Sequence, residues 1–257
     1  MASTRTAATS RTLRRICLAA AGASGVIFAW QATILYWRIP GYLMPSPASV
    51  LHAVFTNWQV LASQSSYTLG AAAIGLTIST AFAVVLALLF SMSRTLEQAS
   101  MPAVIAFRSA PVAAVAPIIM LFFGRGIATS IAVVTIVSFF PRLVNVSRGL
   151  NSADRNAVEL MHVYGASRWQ QLRLVRIPFA LPYLFTGLRI AATSSILGAM
   201  LSEWITGSRG LGFLILESGE MREIELLWAA VLTSIVVSLT VFWLTSAGER
   251  RALRWKI

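Results

Sequence analysis

Six stretches of this chain, at 16–37, 67–92, 101–123, 127–146, 181–206 and 226–246, are each about twenty residues or more of nearly unbroken apolar sequence. A bilayer takes roughly twenty helical residues to cross, and inside it every backbone polar group must be paired within the protein. The runs are continuous and do not alternate, which argues against a β-barrel. The expected fold class is therefore all-α, a polytopic membrane protein with six transmembrane helices. Composition agrees, since only 12% of residues are charged, about half the share of a soluble domain.

The flanks of the runs set the organisation. Residues 1–15 form a basic tail carrying Arg5, Arg11, Arg14 and Arg15. The run at 16–37 starts like a signal peptide, but it continues past Ala21 and ends in the interfacial anchor Tyr36-Trp37-Arg38, so it reads as an uncleaved first span. Pro40, Gly41, Pro45 and Pro47 break the helix after it. Ser46-Pro47 then reads as an N-cap followed by proline at the first helical position, and Val50, Leu51, Val54, Phe55 and Trp58 suggest a short amphipathic helix on the membrane face. The expected division is a tail at 1–15, a first helix and external segment at 16–65, a core at 66–246 with a polar loop at 151–180, and a basic tail at 247–257. Pro102, Pro111 and Pro117 all fall in the third run, where neighbours must repair the backbone ladder. The fifth run is rich in small residues that favour close helix packing.

The formal net charge is +12, and Lys256 is the sole lysine. The arginines flank apolar runs and do not form one basic face, so a nucleic-acid partner is not expected. The positive-inside rule places the N-terminal tail, the 93–100 turn, the 151–180 loop and the C-terminal tail in the cytoplasm. Arg38, Arg125, Arg209 and Arg222 fall on the other side, with an acidic loop at 207–225. Both termini are thus expected on the cytoplasmic side of the membrane. Cys17 is the sole cysteine, so neither an internal disulfide nor a multi-cysteine metal site is available.

The most informative stretch is the polar, Arg-rich island at 154–182. It reads as two short helices joined at Gly165, a residue suited to a helix C-terminus. Ala157, Leu160, Met161 and Tyr164 recur at helical spacing in the first. Ser167 caps the second and Gln170 completes a capping-box pattern, while Pro178 ends that helix or bends it into the fifth run. Composition alone fits a plug for a groove on a partner and a solvated loop equally well.

Glu159, then Gly165 six residues later, then Val175-Arg176-Ile177-Pro178 resemble the EAA signature of bacterial ABC importer permeases. Leu160 and Met161 stand where that signature has two alanines, and Val175 and Ile177 where it has Ile and Leu. The segments at 44–47, 122–126, 139–150, 180–191 and 210–212 resemble the nitrate, sulfonate and taurine group of type I importers. The resemblance covers the chain from about Met44 onward. It implies a five-helix core with an added N-terminal helix, a dimer of permeases (a homodimer for this chain), two separate ATPase subunits and an external solute-binding protein. It also implies that Ala157, Glu159, Leu160, Met161, Gly165, Ser167, Ile177 and Pro178 couple the permease to the ATPase, with Glu159 meeting an arginine there.

No catalytic constellation is visible, and the two histidines, His52 and His162, are assigned to opposite sides of the membrane. There is no G-x-x-x-x-G-K-[ST] loop, so the chain is not an enzyme of that kind. The resemblance puts ATP and Mg on the partner ATPase, with no cofactor and no metal on this chain. Ionisable groups inside spans are costly and are functional candidates by default. Arg108 either snorkels to the interface or lines the inner mouth of a pathway. Arg189 does the same or pairs with a neighbouring span. Thr193 and Ser194, with Ser195, either bond back to the backbone or face the pathway, the backbone being expected for at least one. Glu203 either rests at the interface or belongs to an external gate. The solute expected first is an organosulfonate or taurine-like anion, then nitrate or a similar anion, then a pyrimidine or riboflavin-type vitamin precursor, whose branch the segment 198–215 resembles equally well. A secondary transporter would need acids at mid-membrane and shows no repeat here. A membrane-embedded enzyme would need clustered acids, histidines or a nucleophile at one depth.

Overall fold

The computed structural model describes residues 18, 21–22, 24–109, 111–207 and 209–253, and of 107–109 the backbone alone. The tail at 1–15, Cys17, Arg254, Lys256 and the side chain of Arg108 lie outside the described residues. The chain is helical throughout: α1 over 24–37, α2 Pro47–Thr56, α3 Trp58–Met92, α4 Arg94–Ser109, α5 Val112–Phe123, α6 Ile127–Asn151, α7 Arg155–Val163, α8 Arg168–Gln171, a π turn Leu172–Arg176, α9 Ile177–Thr206, α10 Leu211–Glu220 and α11 Ile224–Ala252.

Among the described residues four helices are long and apolar enough to cross a membrane: α3, α6, the continuous helix Arg168–Thr206, and α11. The described residues do not confirm the expected six. The first expected span is described only in part. The third is two helices, because Pro111 takes an extended backbone (φ −67°, ψ 121°) and has no N–H to carry the ladder from α4 into α5. Pro117 and Pro141 stay inside α5 and α6.

The core is a three-helix sandwich with α6 at its centre. Helices α3 and α6 run in the same direction, as Ala83, Ala87 and Phe90 pack on Leu143, Val146 and Leu150. They touch backbone to backbone: a Cβ on Gly75 would lie 2.8 Å from the Ile131 carbonyl oxygen. Helices α6 and α9 run antiparallel, with Gly149 against Ala180 at one end and Ser130 hydrogen-bonded to Ser202 at the other. Small residues permit this spacing, and in lipid it is packing, not water exclusion, that holds helices together. The outside of the bundle is apolar, with Phe82, Leu121, Phe122, Leu197 and Trp243 exposed. In water such a surface would aggregate, whereas a bilayer covers it.

Two local expectations change. Helix α2 is capped by Ser46, with Pro47 in its first turn. It does not merely rest on the membrane, because Ala53 is buried against Leu61, Leu214, Ala229 and Ala230. The second span begins at Trp58 and not at 67, and the 207–225 loop contains α10.

Candidate functional site

The island at 154–182 folds into a capped elbow. Asp154 caps α7 by accepting from the Asn156 N–H at 3.1 Å. The helix ends in a Schellman motif: the Ala166 N–H reaches the Met161 carbonyl and the Gly165 N–H reaches that of His162, both at 2.9 Å. Gly165 sits at φ +71°, a conformation that costs an L side chain roughly 1–2 kcal/mol. Ser167 then opens α8 with a reciprocal capping box, its hydroxyl accepting from the Gln170 N–H while Gln170 Oε1 accepts from the Ser167 N–H.

Pro178 does not end the helix. The π turn absorbs it: the Ile177 N–H reaches back five residues to the Leu172 carbonyl, and the next position has no N–H to give. Arg168 to Thr206 is consequently one helix of 39 residues. Leu172 is buried in the core cluster of Phe90, Leu143 and Leu150, with Ile177 packed against it. The elbow is therefore anchored to α3, α6 and α9.

The faces of α7 differ sharply. Ala157 and Met161 turn toward the bundle and are half-buried. Leu160, Val163 and Tyr164 point outward, exposed by 58%, 82% and 80%. Arg155, Val158 and Glu159 form a third flank, which lines a cavity of roughly 700 Å³ together with Arg94, Glu97, Arg168 and Arg176. Glu159, expected to meet an arginine of a partner, is exposed and shares this cavity with four arginines of its own chain.

The in-span candidates fall at different places. Arg189 pairs with Glu249 of α11 at 3.1 Å. Thr193 and Ser194 both donate to the Ile190 carbonyl, and Ser195 to that of Ala192. Glu203 is fully buried, which rules out a resting place at the interface. It lies at the end of the bundle opposite the elbow. There the N–H groups of Gly210, Leu211 and Gly212 are caught in succession by Gln64 Oε1 (2.7 Å), Thr68 Oγ1 (2.9 Å) and Glu203 Oε2 (2.9 Å). Thr68 Oγ1 lies 3.1 Å from the same Glu203 oxygen and donates to it. Gly210 is required: at φ +110°, a Cβ would fall 2.1 Å from the Glu203 carboxyl carbon. The 210–212 segment is thus pinned to α3 and α9 through three backbone donors, at the N-terminus of α10, where a carboxylate is electrostatically favoured.

Sequence reasoning missed Gln64 and Thr68, which carry no signal without the fold. It also passed over Arg142, 1% exposed at the α3–α6 interface, where Nη1 donates to the Leu76 carbonyl. A charged residue inside the 127–146 run was the available signal.

A second cavity, of roughly 680 Å³, opens among α3, α4, α5 and α6. Its walls include Phe82, Phe139, Phe140, Val104 and Ile119, with Thr135 among the few polar groups and no charged residue among the described ones.

Residues 75–254 match the family described as binding-protein-dependent transport system inner membrane component. The riboflavin transport system permease protein RibX of Chloroflexus aurantiacus is 34% identical over 88% of this chain and 85% of its own. The taurine transport system permease protein TauC of Escherichia coli is 24% identical over 94% of this chain and 90% of its own. In fold the chain is similar to the inward-facing MetNI methionine ABC transporter, with a TM-score of 0.69 over 76% of this chain and 97% of that one at 16% identity.

Proposed function

This chain belongs to the family of binding-protein-dependent transport system inner membrane components and is a permease subunit of an ABC importer; from that premise we propose that α7 and α8 receive motion from a separate ATPase subunit and pass it to the membrane helices. One observation supports this most directly. A short, doubly capped helix presents Leu160, Val163 and Tyr164 outward, and beyond Gly165 it adjoins a helix that runs without a break into a membrane span. A solvated loop has no need of exposed apolar teeth on a stiffly anchored support. The apolar set is short and helical, the form a groove on a partner accepts. In this reading the elbow end faces the cytoplasm, both termini lie there, ATP and Mg stay on the partner, two copies of the chain form the dimer, and an external binding protein delivers the solute. Glu159 meets the ATPase from the exposed rim of its cavity.

Two solute classes are carried forward, each by its own observation. A small anion is supported by the taurine relative and by Arg108. Arg189 offers it less, being engaged by Glu249. A planar ring compound of the riboflavin type is supported by the higher identity to RibX and by the uncharged, phenylalanine-lined cavity. Competition uptake with taurine, nitrate and riboflavin decides between them.

The test of the reading is a crosslink. Val163→Cys in a Cys17→Ser background should form a bifunctional-reagent adduct with the co-expressed ATPase, at a yield that changes with ATP. An elbow that never meets an ATPase while solute still moves would overturn it.

A further inference from the structure

The cavity behind α7 is lined by Arg94, Arg155, Arg168 and Arg176 against Glu97 and Glu159. These six groups come from α4, α7, α8 and the π turn, so the sequence brings them together only through folding. Among the described residues no ion pair joins any of them. Four guanidinium groups facing one concavity with two carboxylates leave an excess of two positive charges, which repel one another unless something of opposite sign offsets them. The end of α3 offsets a part: Arg176 Nη1 donates to the Ser91 carbonyl at 3.4 Å, at a helix C-terminus where a cation is favoured. Among the described residues Arg94, Arg155 and Arg168 have no such acceptor, and their forks can be satisfied by an oxyanion.

We propose that this cavity is a binding site for a phosphate group, either the headgroup phosphate of an anionic phospholipid or free phosphate. Arginine is the residue whose planar fork matches phosphate oxygens in pairs. The volume of roughly 700 Å³ falls within the range of small-ligand sites and takes a phosphoglycerol headgroup. The site adjoins the docking face and shares Glu159 with it, while Leu160 is turned away from Arg155 by roughly 140° and Val163 by roughly 80° around α7 at about 100° per residue. An anion held here braces α7 and α8 against the turn between α3 and α4. That effect on coupling rests on the reading of α7–α8 as the ATPase elbow, whereas the binding itself does not.

The experiment uses the full chain with its ATPase in nanodiscs of phosphatidylcholine, with or without phosphatidylglycerol. Lipid retained through purification is counted by native mass spectrometry, and inorganic phosphate is titrated separately by calorimetry. The test variant is Arg94→Gln with Arg155→Gln. The control is Arg250→Gln with Arg251→Gln, the same charge change in the last turn of α11. Phosphatidylglycerol retention about tenfold lower in the test variant, and unchanged in the control, supports the site and names lipid as the source. Phosphate binding lost in the test variant, without any lipid effect, supports it and names free phosphate. Equal retention in all three proteins with no phosphate binding overturns it. Loss of ATPase from the complex, with anion binding intact, counts against the coupling reading and leaves this site standing.

Discussion

Replacing Glu203 tests whether the 210–212 segment is held by side-chain acceptors. In Glu203→Ala the Gly212 N–H loses its acceptor in a buried setting, and Thr68 loses one of its two, keeping the Gln64 carbonyl at 3.2 Å. A buried donor left unpaired costs about 1–3 kcal/mol. The emptied carboxylate volume adds about 1 kcal/mol. Polar contacts between membrane helices run weaker, at most about 1.7 kcal/mol, which holds the polar part to about 1–2 kcal/mol, and a local cost of about 2–3 kcal/mol follows. Glu203→Gln keeps an oxygen for both donors and should cost under about 1 kcal/mol. The readout is hydrogen exchange at the amides of residues 210–212 in detergent-purified protein, measured beside ATP-driven uptake in proteoliposomes. At 1.4 kcal/mol per tenfold, the alanine variant should exchange roughly 30- to 150-fold faster there, with uptake reduced. The glutamine variant should stay within about threefold of wild type. Unchanged exchange in alanine, or glutamine as damaging as alanine, refutes the argument that the carboxyl acts as an acceptor.

Three further outcomes are expected. Glu159→Arg should abolish uptake while the protein stays in the membrane, and charge reversal at the facing arginine of the ATPase should restore part of it. Gly165→Pro should also end uptake, since φ +71° is closed to proline and the Schellman turn cannot form; normal uptake would show that α7 needs no fixed seat. Arg189→Ala and Glu249→Ala, separately and together, should show a coupling energy below about 1 kcal/mol, because the arginine is partly exposed, and anion uptake should survive them. Uptake that collapses in Arg189→Ala but not in Glu249→Ala would put the arginine on the solute path.

Much of the elbow was legible because its signals are local. Ser167 and Gln170 form the capping box within four residues, and Gly165 marks a positive φ that no other part of the chain needs to supply. Of the two readings of Pro178, an end to the helix fails, because a π turn two to six residues earlier makes room for the proline. The break at Pro111 was obscured for the opposite reason, because hydropathy over 101–123 sums across a backbone gap it does not register. The pinning of Gly210–Gly212 was out of reach, as it depends on Gln64 and Thr68, more than 140 residues away. The burial of α2 against α11 has the same cause: amphipathicity reveals an apolar face but not what covers it.

One rod of 39 residues carries the Ser167 cap at one extremity and Glu203 near the other, about 50 Å apart at 1.5 Å per residue. On the proposed reading, a rotation imposed at the elbow would reach the segment pinned by Glu203 through the stiffness of one hydrogen-bonded helix, with no relay of intermediate side chains. Second-site suppressors of damage at either extremity should accordingly gather at the opposite tip, and the stretch between should yield few.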